Sequence, residues 1–264
     1  MLPRFIDTHA HLNDESYNPE GGPSEVDDVI ARAAAAGVGM IFHPDIDKHE
    51  RESARSICRA HPGVVLPMAG LYPGSVDGNW KKDVEETFAG ITPDIIAIGE
   101  IGLDYHWSTE FKEEQKEALR CQLELALELE LPLNIHVRDA TDDFFTVLEG
   151  FKGRGLRGNV HAFSGSIDTY RRLQKYGDWK VGIGGVVTFK NAKVALSVKE
   201  IPLQDILLET DSPYLSPTPF RGQRNEPAMI PLIAEKIAQI KGIDIEEVAR
   251  VTTQSALELF GIKP

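Results

Sequence analysis

FIDTHAHLN, residues Phe5 to Asn13, is the stretch on which the reading of the whole chain turns. It is an apolar, β-branched run that closes on two histidines two positions apart. Residues i and i+2 of a strand leave the same face, so His9 and His11 can aim both imidazoles at one point. That is a geometry for holding a metal ion. A His-x-His pair near a chain start is also ordinary surface decoration, so the other strands have to decide.

Outward from this stretch, short apolar runs alternate with amphipathic segments. Ser24 to Gly37 reads as a helix with a serine cap, early acids and a glycine stop. The strand GMIFHP, the helix HERESARSICRAHPG, the strand VVLPMAGLYP and a helix near Lys82 to Phe88 follow. The second half repeats the scheme. IIAIGE is a strand and Glu110 to Glu130 a long helix with i, i+4 charge pairing; PLNIHV, GNVHAF, WKVGIGG and ILLETD are strands. Helices are expected between them, near Ala140 to Phe151, after SGSID and near Ala192 to Glu200, and two more within Glu226 to Gly261. Eight alternating units favour a parallel sheet, and 264 residues are close to the roughly 250 of a closed barrel. The expected fold is α/β, a TIM-type (β/α)8 barrel forming a single domain over residues 1–264.

A hydrophobic content of 42% with 26% charged residues is ordinary for a soluble globular chain, and no apolar run is long enough to span a membrane. MLPRFIDTHAHL passes almost directly into the first strand, leaving no room for a secretory leader, so a cytoplasmic location is expected. Cys58 and Cys121 lie in helical patterns and read as half-buried free thiols. No repeat, second domain or obligate protein partner is evident, and a barrel of this size buries enough core to stand as a monomer.

Chemistry in such barrels collects at the carboxyl ends of the strands. Strand one ends in His9 and His11, strand four in Glu100, strand five in His136, strand six in His161 and strand eight in Asp211. The other histidines, His43, His49, His61 and His106, are read as surface or satisfied loop residues. Four imidazoles and two carboxylates are too many for one tetrahedral zinc and suit two divalent ions about 3.5–4 Å apart. Glu100 is the natural bridge, and Asp211 can also take the proton of an attacking water; these two are the catalytic candidates. Asp7 either orients an imidazole or makes a buried structural hydrogen bond.

FIDTHAHLN, GEIGLDY, NIHVRDA, VHAFSGS, ETDSPYL and FRGQRNEP together resemble the successive signatures of the TatD family of metal-dependent deoxyribonucleases. The resemblance runs in order over essentially the whole chain, and the motifs are specific jointly rather than singly. It implies an amidohydrolase-type barrel that cleaves phosphodiester bonds of DNA, working as an exonuclease with two divalent ions (Mg, Mn or Zn). It further implies that His9, His11, Glu100 and Asp211 hold one ion and Glu100, His136 and His161 the other. Tyr72 is a departure, standing in LYPGS where the family commonly has a histidine near the substrate phosphate.

The net charge of −13 argues against long, non-specific duplex binding. Four positive charges from two ions against Glu100 and Asp211 leave the rim itself near +2, enough to grip one or two phosphates of DNA or a short nucleic-acid fragment. Substrate contacts are expected from Tyr72, Asp104, Arg138, Ser164, Arg221 and Arg224. Arg221 and Arg224 can equally pin a proline-rich loop, and SGSID can equally be a helix cap. Tyr105, Trp107, Tyr214 and Phe220 are candidates for base stacking or for plain loop packing. Two further readings stay open: an amidohydrolase or lactonase acting on small molecules, and a metal-binding protein without turnover.

Overall fold

The computed structural model describes residues 4–18, 22, 24–46 and 48–263. The leaderless start read from the sequence bears partly on residues 1–3, which lie outside the described residues. Strand and helix alternate as β1 (Phe5–Asp7), α1 (Val26–Ala35), β2 (Val38–His43), α2 (Arg51–Ala60), β3 (Val65–Pro67), α3 (Trp80–Ala89), β4 (Ile98–Asp104) and α4 (Lys112–Glu128). They continue as β5 (Leu133–Arg138), α5 (Thr141–Glu149), β6 (Leu156–Val160), α6 (Ile167–Leu173), β7 (Gly177–Ile183), α7 (Val194–Glu200), β8 (Ile206–Leu208), α8 (Ile230–Lys241) and α9 (Ile245–Phe260).

Every strand pairing is parallel, in the orders β1-β2-β3 and β4-β5-β6-β7-β8. Backbone hydrogen bonds join these two sheets at both seams. At one, Thr8 N–H donates to Leu208 O (3.0 Å), Asp211 N–H to His9 O (2.9 Å) and His11 N–H to Ser212 O (2.8 Å). At the other, Ala69 N–H donates to Ala97 O (3.1 Å) and Gly99 N–H to Ala69 O (2.8 Å). The strands thus run in a closed circuit with the helices outside, the arrangement that parallel strands with both faces covered adopt. Asp7 belongs to the same seam, its carboxylate accepting from both Thr210 N–H and Thr210 Oγ1. It makes the structural hydrogen bond and does not orient an imidazole.

Several local expectations shift. α1 begins at Val26 with Glu25 at its cap position and no side-chain cap; Ser24 Oγ accepts from Val26 N–H at 3.3 Å outside the helix. The ion pairs within α4, Lys116–Glu113 and Arg120–Glu117, are spaced i, i+3 rather than i, i+4. β4 does not end at Glu100 but continues to Asp104, with a register shift against β5 between Ile98 and Ile101. All seven of its residues are buried, Glu100 and Asp104 included, so the first carboxylate in the run does not mark where the strand stops. Gly102 is required there: at φ +148° it lies so close to β5 that a Cβ would overlap the His136 carbonyl.

α9 seals the end of the barrel where the strands begin. Thr253 Oγ1 donates to Arg4 O at 3.0 Å, and Arg157, at the start of β6, donates to Leu259 O. Ile6, Phe42, Met68, Ala97 and Leu207 form one apolar cluster with Leu257, Leu259 and Phe260. Among the described residues no helix is long and apolar enough to cross a membrane.

Candidate metal centre

The six side chains singled out at the strand ends meet at the opposite end of the barrel. His9 and His11, sharing a face, bring their Nε2 atoms to 3.1 Å. Glu100 Oε2 lies 3.3 Å from His9 Nε2 and 3.8 Å from His11 Nε2. Asp211 Oδ1 lies 3.7 and 3.4 Å from the same two nitrogens. The other oxygen, Glu100 Oε1, is 2.9 Å from His136 Nδ1 and 2.9 Å from His161 Nε2, which are themselves 2.9 Å apart. Glu100 therefore stands between two donor groups, one at each carboxylate oxygen.

The donor sets fit divalent ions. Atoms bound at about 2.0–2.1 Å to a tetrahedral ion stand about 3.3 Å from each other, the spacing of the His9, His11, Glu100 and Asp211 atoms. Ring nitrogens also face each other within the cluster, His9 Nε2 with His11 Nε2 at 3.1 Å and His136 Nδ1 with His161 Nε2 at 2.9 Å, as donor atoms sharing a cation do. Three His and carboxylate groups here can each hold a metal: His9, His11 and Glu100; His9, His161 and Asp211; Glu100, His136 and His161. His9 and Glu100 are almost wholly buried, whereas the Asp211 and His136 side chains keep 15% and 14% of their exposure, so solvent reaches the cluster on their side.

Electrostatics favour a cation. Burial by itself would raise the Glu100 carboxyl, but the His161 and His9 imidazoles and hydrogen bonds from His136 and His161 hold it well below the usual carboxylate range. Asp211 is held low in the same way, against its burial, by His11, His161 and His9. For His136 burial works downward, and hydrogen bonds to Asp104 and Glu100 outweigh it, raising the imidazole to about 9. Asp104 was expected at the substrate; instead its Oδ2 accepts from His136 Nε2 at 3.0 Å. Counted with Glu100 and Asp211, it brings a doubly loaded rim to roughly one positive charge rather than two.

The expected substrate contacts part company. Tyr72 donates its hydroxyl to Asp104 Oδ2 at 3.0 Å. Arg138 is exposed over the Trp107 ring, 5.4 Å from its centroid, and lines a cavity of about 520 Å³ with Ser164, Phe163 and His161. Arg221 lies over the Phe189 ring at 4.2 Å. Arg224 is engaged by Ser16 O (2.6 Å), Glu25 Oε2 (2.6 Å) and Glu226 Oε1 (3.3 Å), which is loop pinning and not phosphate contact. In SGSID, Ser166 caps α6 by accepting from Thr169 N–H at 3.1 Å. Of the stacking candidates, Trp107 and Tyr214 are exposed, 80% and 53%, while Tyr105 and Phe220 are half-buried.

Sequence reading missed a layer beneath the ligands. His9 Nδ1 meets Asn134 Oδ1 at 2.9 Å, and Asn134 Nδ2–H donates to Asn159 Oδ1 at 3.1 Å. The signal was present: Asn134 and Asn159 each precede a site histidine by two residues and so share its strand face. Glu209 was passed over as well. It is wholly buried, one oxygen accepting from Ala162 N–H and lying 3.9 Å from His161 Nδ1, and burial pushes its carboxyl well above the usual range. His43 is not a surface residue: it is buried at the end of β2 with Nδ1 on Pro44 O at 2.9 Å, and burial pushes it down to about 3, leaving it neutral. His61 and His106 do sit in partly exposed pairs, with Asp27 and Asp139.

The family model described as TatD related DNase matches residues 6–261. The chain belongs to the TatD family. It is accordingly a metal-dependent hydrolase acting on ester bonds. An uncharacterized metal-dependent hydrolase of Bacillus subtilis, YabD, is 39% identical over 264 residues, covering 98% of this chain and 99% of the relative. The 3'-5' ssDNA/RNA exonuclease TatD of Pantoea ananatis is 33% identical over 247 residues, covering 90% and 94%. The crystal structure of YJJV, a TatD homolog from Escherichia coli, superposes over 100% of both chains with a TM-score of 0.87 at 28% identity.

Proposed function

We propose that this TatD-family protein is a two-metal phosphodiesterase that removes nucleotides from the ends of DNA, single-stranded DNA above all. One observation carries the reading: the two oxygens of Glu100 face two separate donor groups, His9 with His11 and Asp211 on one side, His136 with His161 on the other. When bound there, divalent ions supply Lewis acidity toward a phosphoryl oxygen and lower the pKa of water near neutrality.

The chain's own residues do the rest. Glu100 holds the two donor groups at one spacing. Asp211 is ionised and reachable by solvent, so its carboxylate takes the proton of the water that attacks phosphorus, and the P–O bond to the departing nucleotide breaks. Arg138, braced by Trp107, presents a guanidinium fork to a phosphate. The cavity beside it shares His161 with the donor cluster and is large enough for one nucleotide. Relatives of this family named as exonucleases acting on single-stranded DNA and RNA support the same substrate class.

The test is cleavage of end-labelled single- and double-stranded oligonucleotides by metal-stripped protein refilled with Mg²⁺, Mn²⁺ or Zn²⁺. Stepwise shortening that requires added metal is expected. Glu100→Ala should lose more than the about 100-fold that outer-layer residues of metal sites typically cost. Metal uptake without cleavage of any oligonucleotide would overturn the proposal.

A further inference from the structure

Tyr72 stands where a substrate contact was expected, yet its polar atom is committed elsewhere. Its hydroxyl donates to Asp104 Oδ2, and the same oxygen accepts from His136 Nε2, each at 3.0 Å. The other oxygen, Asp104 Oδ1, accepts from His106 N–H at 2.8 Å, so both ends of this carboxylate are engaged. Gln115 of α4 clasps the Asp104 backbone, its Oε1 accepting from Asp104 N–H at 2.9 Å and its Nε2 donating to Asp104 O at 3.1 Å. The Tyr72 ring stands edge-on to the His136 ring, with centroids 5.2 Å apart and planes at 78°. Its own loop is held at both sides: Tyr72 N–H donates to Ile46 O (3.0 Å) and Leu71 N–H to Gln122 Oε1 of α4 (2.7 Å). Glycine at position 74 makes room for this ring, since a Cβ there would run into it.

We propose that Tyr72 is a positioning residue for the metal held on the His136 side, acting through Asp104, and does not contact substrate. Asp104, saturated and acceptor-only, keeps the His136 Nε2 proton in place, so an ion on that side is met by Nδ1. The tyrosine hydroxyl stops Asp104 from turning away, and the ring stops His136 from tilting. On the other side, the group behind His9 is the neutral amide of Asn134. The two ions are therefore held unequally, and a change at Tyr72 loosens one of them. This inference rests on the reading of His136 as a metal ligand.

Two variants test it. Tyr72→Phe keeps the ring and removes the hydroxyl; Gly74→Ala keeps the hydroxyl and pushes the ring off its seat. Zn²⁺ and Co²⁺ affinities of metal-stripped protein are measured by competition with a chromophoric chelator, together with the Co²⁺ absorption spectrum and with kcat and KM on an oligonucleotide. Each variant should weaken one binding step by about tenfold to a hundredfold, leave the other unchanged and alter the spectrum of the weakened ion. Unchanged affinities in both variants would overturn the proposal, as would a raised KM with metal binding intact, the signature of a substrate contact. The metal titration reads out even if no nucleic acid is cut. A wild-type protein that takes up one ion would defeat the two-metal reading alone, and the effect of Tyr72→Phe on that ion would still decide between a positioning role and none.

Discussion

The two ends of the barrel are built from opposite materials. Against α9, Ile6, Phe42, Met68, Ala97 and Leu207 close on Leu257, Leu259 and Phe260 in an apolar plug. Where the strands end, His9, His11, Glu100, His161 and Glu209 are buried together, with unpartnered atoms at His11 Nδ1, His161 Nδ1 and Glu209 Oε2. Buried polar groups without partners cost stability unless something else meets them, whereas close-packed apolar groups are stabilising by themselves. One end holds the fold together so that the other can keep a buried cluster of imidazoles and carboxylates.

That contrast can be broken first at the apolar end. Phe260→Ala deletes a ring that packs on Phe42 at 4.8 Å and should cost about 3–5 kcal/mol, read by denaturant unfolding, with activity per folded molecule unchanged. A loss of activity out of proportion to folding would show that the two ends are coupled. Stripping metal addresses the polar end: at a free ion concentration of 100 times Kd, each bound ion should add about 2.7 kcal/mol, so chelation should lower the melting temperature of the wild type and much less that of Glu100→Ala. Equal effects on both proteins would place the ion elsewhere.

Smaller effects sharpen the boundary around the site. Arg138→Ala should raise KM for an oligonucleotide about tenfold, near 1.4 kcal/mol, with kcat and metal affinity kept and the KM difference shrinking at high salt. A change in kcat alone would mean that Arg138 acts on the reacting phosphate itself. Arg224→Ala removes a loop pin, so kinetics should stay at wild-type values while the melting temperature drops by at most about 4 °C. A rise in KM there would restore Arg224 to the substrate.

How much of this could be read beforehand depended on the range of the interaction. His9 and His11 were legible because strand parity acts over two residues, and β4 to β8 were legible because alternating segments repeat. The end of β4 was not, because every residue from Ile98 to Asp104 is buried and the register shift leaves no mark in the composition. For Arg224, loop pinning and phosphate contact read equally well, because its partner Glu25 is 199 positions away in the chain. Asp104 and Tyr72 were placed at the substrate because their 32-residue separation hides their hydrogen bond.

By itself the sequence determined which residue types stand at the ends of the strands and which family the chain resembles, since both follow from local spacing and motif order. Only the tertiary structure decided what each of those groups faces: that Glu100 turns one oxygen to each donor group, that Asp104 backs His136, and that Tyr72 backs Asp104. The physical reason is that a side chain's chemistry is set by the atoms within about 4 Å of it, and in a closed barrel those atoms come from strands far apart in the chain.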